Sequence, residues 1–496
     1  MQNVFLSYGG KDGHLVTRVA EDLKRARVGD IWCYELTSKY GVDFRREYCE
    51  RVRSAQIFVL FDSRHARTSR YVREEVDLCR SIPSITMLIC LCEAQGEWRD
   101  NELFEGHNRL RYFDLVKYEH AIRDLCEQLG TSYIPRFTMP RDQDFEQEVR
   151  GSADHFPLPR RQAILDKYEF FRSIFARDPA AAEAQLLVLI REHLDPIDTP
   201  VISAHLALGA LRNEGRRYQA AEEAFAHVTL RMPDDPRGWA GKGAALFGLG
   251  RYREAAQAWA RCLDCVAASG NPVHRQFEDE IRHNAASAHF EAGDPKAAWA
   301  TLAPAFAVGD DRPAEDFVLA GKILLAAGSP QAGEMLIRGA RRVTSNGMIQ
   351  SELIIDLVVC LKKIAAHDLA GRVLQRALHH YPFDVDVIRQ WAAHHSEAGN
   401  LNEAIAAYEK VLGIQPDNLR CLAEHALLLK TVGGRPGWRE LVKKCLDAHA
   451  LSPTDEYYLG LAHYLEGRNE TARYHHGRSQ HSAMCAGWPF YDELVN

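Results

Sequence analysis

Tyr71 and Glu75 stand four residues apart in the stretch SRYVREEVDLC, whose apolar residues recur at helical spacing, so ring and carboxylate fall one turn apart on one helical face. That face offers an aromatic surface and a single acid to whatever crevice it overlooks; the competing reading of Glu75 is an exposed helix charge. Glu74 lies four residues after Arg70 and pairs with it along the solvent side, which leaves Glu75 on the face of Tyr71. Other groupings of reactive side chains read as inert. Cys262 and Cys265 have CxxC spacing but sit mid-helix with no second pair, and Cys33, Cys90 and Cys92 lie in apolar strand-like runs, so buried free thiols are expected. His475, His476 and His481 have no acidic or cysteine partner at a metal-ligand spacing and read as surface helix residues. No metal site is expected.

The elements that must position Tyr71 and Glu75 occupy about the first 130 residues, where apolar runs of four to seven alternate with amphipathic stretches. Strands are predicted at VFLSY from Val4, IWCYE from Ile31, IFVLFDS from Ile57, ITMLICL from Ile85 and LRYFDL from Leu110. Helices are predicted from His14 to Ala26, Phe44 to Val52, Val72 to Leu78 and Tyr118 to Leu129. This is a flavodoxin-like, doubly wound order, and such sheets bind ligands beyond the carboxyl ends of their strands. The loops after Tyr8, Glu35 and Ser63 are therefore the candidate ligand loops. Tyr8 reads either as a stacking surface for a ligand or as a strand-end ring in the core. Gly9 and Gly10 either let the backbone approach a phosphate or make a turn, and Ser7 and Asp12 serve either loop hydrogen bonds or ligand contact.

Residues 133–160 lose the periodicity, gather Pro135, Pro140, Pro157 and Pro159, and read as a linker after a first domain at 1–132. From 161 to 484 the chain reads as helical hairpins. Gly209, Ala221, Phe225 and Pro233 are followed one period of 34 residues later by Gly243, Ala255 and Trp259, and Ala392, Ala404, Tyr408 and Pro416 repeat the offsets. Gly460 and Ala472 fit as well, Gly321 and Gly333 more loosely. A small residue on each helix lets the two helices of a hairpin approach, an aromatic fills the space toward the next hairpin, and Pro ends the second helix. Residues 271–310 and 351–383 keep helical periodicity with a drifted register, as longer helices or insertions would produce. The aromatic-rich tail, 485–496, reads as a cap or a docking segment.

The first quarter of the chain resembles the TIR domain family, and the remainder resembles tetratricopeptide repeats. VFLSYGGKD looks like the first TIR box; Trp32, Gly41 and Phe44 match its W(x)8G(x)2F spacing; Ser63, Ser69, Tyr71 and Glu75 match the SxWxxxE arrangement of NAD-cleaving members. Tyr71 stands where Trp is usual, and Tyr34, followed by Glu35, stands where many members carry Asp. The resemblance implies that Glu75 is the catalytic carboxylate, with Ser7, Tyr8, Gly9, Gly41, Ser69 and Tyr71 around the substrate. One acid suffices for NAD, whose nicotinamide is already a cationic leaving group and needs no general acid, unlike an ordinary glycoside.

The expected function is thus NAD+ glycohydrolase activity releasing nicotinamide and ADP-ribose or a cyclic isomer, with NAD+ as substrate and no cofactor. By analogy with prokaryotic TIR immune effectors, activation is expected through TIR self-association under control of the repeats, whose groove would take a protein, peptide or small-molecule trigger. The alternative is a non-catalytic scaffold. A net charge of −7 without a basic block gives no support to nucleic-acid binding. The opening residues lack a basic, apolar leader and no run approaches the roughly 18 apolar residues of a membrane helix, so a cytoplasmic protein is expected.

Overall fold

The computed structural model describes residues 2–34, 44–92, 110–115, 117–152, 156–194, 201–307, 312–345, 351–431, 436–447 and 452–479. The chain divides into two compact units, one built on Met1–Ser38 and Asp43–Gly339, the other on Ile349–Asn496.

In the first unit, β1 (Gln2–Ser7), β2 (Gly29–Trp32), β3 (Ile57–Asp62), β4 (Thr86–Leu91) and β5 (Leu110–Tyr112) form a parallel sheet in the order β2-β1-β3-β4-β5, the flavodoxin-like arrangement expected. The first helices are α1 (Gly13–Arg25), α2 (Phe44–Ser54), α3 (Arg64–Thr68), α4 (Arg70–Arg80) and α5 (Tyr118–Gln128). Side chains alternate across the sheet because a strand has a period of two. Phe5, Trp32, Phe58, Leu60, Met87 and Ile89 face α2 and α4, where Tyr48, Val52, Val72 and Val76 complete a core. Val4, Leu6, Ile31, Val59, Phe61 and Leu88 face the other way, onto Leu15, Val19 and Leu23 of α1 and Ile122 and Leu125 of α5. Each buried aliphatic or aromatic side chain contributes roughly 1.5–3 kcal/mol on either face.

The second of these cores does not stop at the domain edge. It runs on through Phe145 and Val149 of α6 (Asp142–Gly151), Ile164, Tyr168 and Phe171 of α7 (Leu158–Ile174), Leu186 of α8 (Pro179–His193) and Leu208 of α9 (Ser203–Glu214). The stretch expected as a linker is therefore structured. Phe145 stacks on Tyr168 with ring centroids 3.5 Å apart, and Phe137 packs on Phe277 at 4.6 Å. Two apolar anchors one turn apart, Phe145 and Val149, are too sparse among charges to make a visible stripe.

Polar groups fix the same junction. Arg136 reaches Asp22 through Nε at 2.8 Å, Glu21 at 2.9 Å and Glu214 at 2.9 Å. Arg18 of α1 binds Glu214 at 3.0 Å, and Tyr118 donates to Asp22 at 2.8 Å. Glu148 of α6 accepts from the backbone N–H groups of Ile202 and Ser203, at 3.1 and 3.0 Å, and so satisfies the first donors of α9.

Beyond α9 come α10 (Tyr218–Arg231), α11 (Pro236–Gly248) and α12 (Tyr252–Ser269), then helical pairs up to Ala332–Ser345. A short helix, Pro272–Arg275, accounts for the register drift after 271. Phe225 is fully buried between Gly209 and Gly241, where a Cβ would lie 2.7 and 2.2 Å from its ring. Gly243 leaves the same room for Trp259. The small residue thus admits the aromatic sixteen positions later as well as from the preceding hairpin. In the second unit, Val385–Glu397 and Leu401–Ile414 repeat the pattern with Ala392, Ala404 and Tyr408 all buried. Residues 351–383 hold an ordinary helical pair, Ser351–Lys363 and His367–His380.

Gly241→Ala is expected to cost about 2–3 kcal/mol by overpacking. Phe225→Leu should recover part of that loss, giving a non-additive double-mutant cycle by denaturant unfolding. Arg136→Met leaves Asp22 buried without its cation, a loss of roughly 3–5 kcal/mol. Because a chain of two units has no single melting point, the loss is to be read as faster hydrogen exchange in α1 and α9.

Candidate functional site

The candidate site begins where β1 and β3 end. Period-two alternation turns Ser7, like Phe5, toward α4, and its hydroxyl donates to Glu75 Oε2 at 2.6 Å. Glu75 is 6% exposed. Burial, opposed in part by the Ser7 hydrogen bond, pushes its carboxyl from 4.5 up to about 8. The exposed-charge reading of Glu75 is therefore excluded.

Glu74, one residue earlier on α4, has the opposite environment. It accepts from Arg70 Nε at 2.9 Å, as the spacing implied, and from the Tyr48 hydroxyl at 2.7 Å, with Arg45 at 3.4 Å. These partners hold its carboxyl below the usual range, the Tyr48 hydrogen bond first among them. Two adjacent acids thus carry separate assignments: one binds the helix surface together, the other is a near-neutral carboxyl beside a serine.

Tyr71 shares the face of Glu75 by spacing, yet 52% of it is exposed while Glu75 is buried. Its ring meets Tyr48 edge-on at 6.5 Å. Tyr48 carries no motif and was not singled out from sequence; its only sequence signal is its place in an amphipathic helix. Tyr8 is half-buried, packs against the core on the α1 side of the sheet and brings its hydroxyl to 3.7 Å from Cys33 Sγ.

Other candidate residues shape the loops. Ser69 caps α4, accepting from Val72 N–H at 3.4 Å. Ser63 caps α3 through His65 and Ala66 N–H at 3.2 and 3.1 Å and donates to Asp12. Ser63 and Asp12 are both buried, so Asp12 is a loop-fixing acid. Gly9 is required by close approach, since a Cβ there would lie 2.5 Å from the His65 carbonyl carbon. The backbone that approaches it is that of α3. Gly10 has open space around it. Asp62, fully buried at the end of β3, is held by Arg67 at 2.6 Å. Trp32 is buried and stacked on Phe5 at 4.5 Å, and among the described residues its indole Nε1 has no hydrogen-bond partner. Gly41, His481 and the tail 485–496 lie outside the described residues.

Among the described residues no three His, Cys, Asp or Glu side chains are grouped to hold a metal ion, and no helix is long and apolar enough to cross a membrane. Cys262 donates to the Pro236 carbonyl at 3.1 Å, and burial pushes its thiol well up. The surface expectation for the histidines needs correction: His476 is buried, and His475 lies 2.7 Å from Glu456 and stacks on His463 at 5.1 Å.

The sequence model of the TIR domain family matches residues 4–126, and that of a tetratricopeptide repeat matches residues 395–418. No curated protein matches the chain. Among solved structures it is similar to a tetratricopeptide protein from Parabacteroides merdae, 13% identical over 59% of this chain and 97% of that one, with a TM-score of 0.36. YrrB, described as a TPR protein with an unusual peptide-binding site, is 16% identical over 50% of this chain and 99% of its own, with a TM-score of 0.29. A human IFIT1 dimer with PPP-AAAA is 14% identical over 69% and 95%, with a TM-score of 0.35.

A test of the Glu75 environment follows from its titration. An acid raised from 4.5 to about 8 on folding contributes full stability below 4.5, and that contribution is lost as pH rises through about 8. Glu75→Gln, which keeps an acceptor for Ser7, should therefore unfold like the parent near pH 4.5 and be more stable near pH 8, by an amount on the order of a few kcal/mol. Equal pH dependence of the two proteins in denaturant unfolding would refute the burial effect.

Proposed function

Because residues 4–126 form a TIR domain and the helices that follow are of the tetratricopeptide type, we propose that this chain is an NAD+ glycohydrolase whose catalytic carboxylate is Glu75. The observation that carries this reading is the buried Glu75 at the carboxyl end of β1, bonded to Ser7 while the neighbouring Glu74 is committed to Arg70 and Tyr48.

The chemistry suits one acid. The bond between nicotinamide and ribose breaks with its electron pair returning to the pyridinium nitrogen, so neutral nicotinamide departs without a proton. A positively charged ring entering beside Glu75 favours the ionised carboxylate. That carboxylate then accepts hydrogen bonds from ribose hydroxyls and stabilises the oxocarbenium-like transition state. Water attack at the anomeric carbon, with loss of a proton, gives ADP-ribose; attack by the substrate's own adenine gives a cyclic isomer. Tyr71 at 52% exposure is available to stack on a ring of the substrate.

The TIR family resemblance further implies activation by TIR self-association, with the segment around Gly41 completing a neighbour's site. The repeats would control that assembly in response to a trigger, protein, peptide or small molecule, and the resemblance to immune effectors makes NAD+ depletion during infection the proposed setting, in the cytoplasm. A scaffold without catalysis is the second reading. Tyr71 where NAD-cleaving members usually carry Trp, and Tyr34 where many carry Asp, favour it.

Nicotinamide release by the purified chain, followed against protein concentration, separates the two. The proposal expects release that rises with concentration, increases from about pH 6 to pH 8 as Glu75 ionises, and falls at least ~100-fold in Glu75→Gln. An assembled wild-type chain that releases no nicotinamide would establish the scaffold.

A further inference from the structure

Tyr48 of α2 is 1% exposed, whereas Tyr71 of α4, which it meets, is 52% exposed. The two rings lie edge to face, with centroids 6.5 Å apart and planes 76° from parallel, a geometry that the ring quadrupole favours. One ring is fixed and the other stands in solvent. Tyr48 is fixed twice. Its ring belongs to the core that includes Trp32, Val52, Val72 and Val76, and its hydroxyl donates to Glu74 Oε2 at 2.7 Å. Burial first, then the Glu74 hydrogen bond, push the phenol's pKa up. The same hydrogen bond is the first cause that holds the Glu74 carboxyl down. Donor and acceptor therefore keep their protonation states across the range in which Glu75 titrates.

The contacts close on α4 itself. Arg70 and Glu74, one turn apart, are bonded at 2.9 Å and flank Tyr71 in sequence. Glu74 holds the Tyr48 hydroxyl, and the Tyr48 ring meets Tyr71. From α4 to α2 and back, the path leads from a helix-surface ion pair to the exposed ring one turn before Glu75. A solvent-facing side chain keeps several rotamers, and fixing it at the moment of binding costs affinity; a ring already held does not lose that freedom again. An aromatic pair of this kind is worth a factor of about 2 to 10 in an equilibrium constant.

We propose that Tyr48 is a positioning residue for substrate binding, holding the Tyr71 ring in the orientation that stacks on the planar, cationic nicotinamide ring of NAD+. The inference rests on the glycohydrolase reading of Glu75 and extends it to a residue on a different helix. Tyr48 is buried and acts through Tyr71. Stacking holds the pyridinium ring before as well as during bond breaking, so Tyr48 bears on KM more than on kcat.

The test measures nicotinamide release by the full chain carrying Tyr48→Phe or Tyr48→Leu, each alone and together with Tyr71→Ala. Tyr48→Phe keeps the ring in the core and removes only its hold on Glu74; Tyr48→Leu removes the ring. The expected result is a KM raised about 2- to 10-fold, more by Leu than by Phe, with a smaller change in kcat. Neither substitution should raise KM further once Tyr71→Ala is present. A KM unmoved by both, or the same rise with and without the Tyr71 ring, would overturn the proposal. The same comparison in Glu75→Gln, read by calorimetry as the dissociation constant of NAD+, needs no turnover. NAD+ bound in the expected order but not cleaved by the parent overturns the glycohydrolase reading and supports the positioning role. NAD+ cleaved with KM unmoved overturns the positioning role alone, and NAD+ neither bound nor cleaved overturns both.

Discussion

Successive residues of β1 point to opposite faces of a sheet that is buried on both. This single constraint puts Ser7 and Glu75 on one side of the sheet and the junction with the later helices on the other. Phe5 and Ser7 belong to the α2 and α4 face, Val4 and Leu6 to the α1 and α5 face, and a slip of one residue would exchange them. With Ser7 turned toward α4, Glu75 finds a partner and a low-dielectric site. With Leu6 turned toward α1, the apolar core continues into α6, α7 and α8 without covering Glu75. The helices that follow therefore pack on the face of the sheet opposite Glu75.

The adjacent acids of α4 show how far environment outweighs residue type. Consecutive residues on a helix are about 100° apart, so Glu74 and Glu75 look out on different surroundings. Glu74 meets two guanidinium groups and a phenol and stays ionised; Glu75 meets Ser7 and apolar side chains and keeps its proton to about pH 8. The same hydroxyl and guanidinium contacts fasten the first turns of α2 to α4, the helix that carries Glu75.

Much of this was legible in the sequence because it follows from periodicity. The five apolar runs, the strand order and the pairing of a small residue with an aromatic sixteen positions on all require only spacing and volume, and so did the pairing of Arg70 with Glu74. What escaped was decided by contacts distant in sequence. Residues 133–160 looked like a linker because Phe145 and Val149 find their stack only when Tyr168 is present, and Arg136 finds its acids only when α1 and α9 converge. Gly9 left open a phosphate approach or a turn, and the close approach is that of α3. His476 looked exposed in an isolated helix and is buried by its neighbours. Spacing put Tyr71 beside Glu75 but could not tell that one is half exposed and the other enclosed.

Arg136 explains why the junction is charged as well as apolar. A purely apolar contact of the same extent gains free energy from area and tolerates sliding. A planar guanidinium whose nitrogens reach Asp22, Glu21 and Glu214 at 2.8–2.9 Å does not, because each bond has a direction. Burying such a group adds little net stability over well-packed hydrocarbon but rejects other registers, since any shift leaves a buried charge unpaired. The junction thus sets one orientation of α1 against α9.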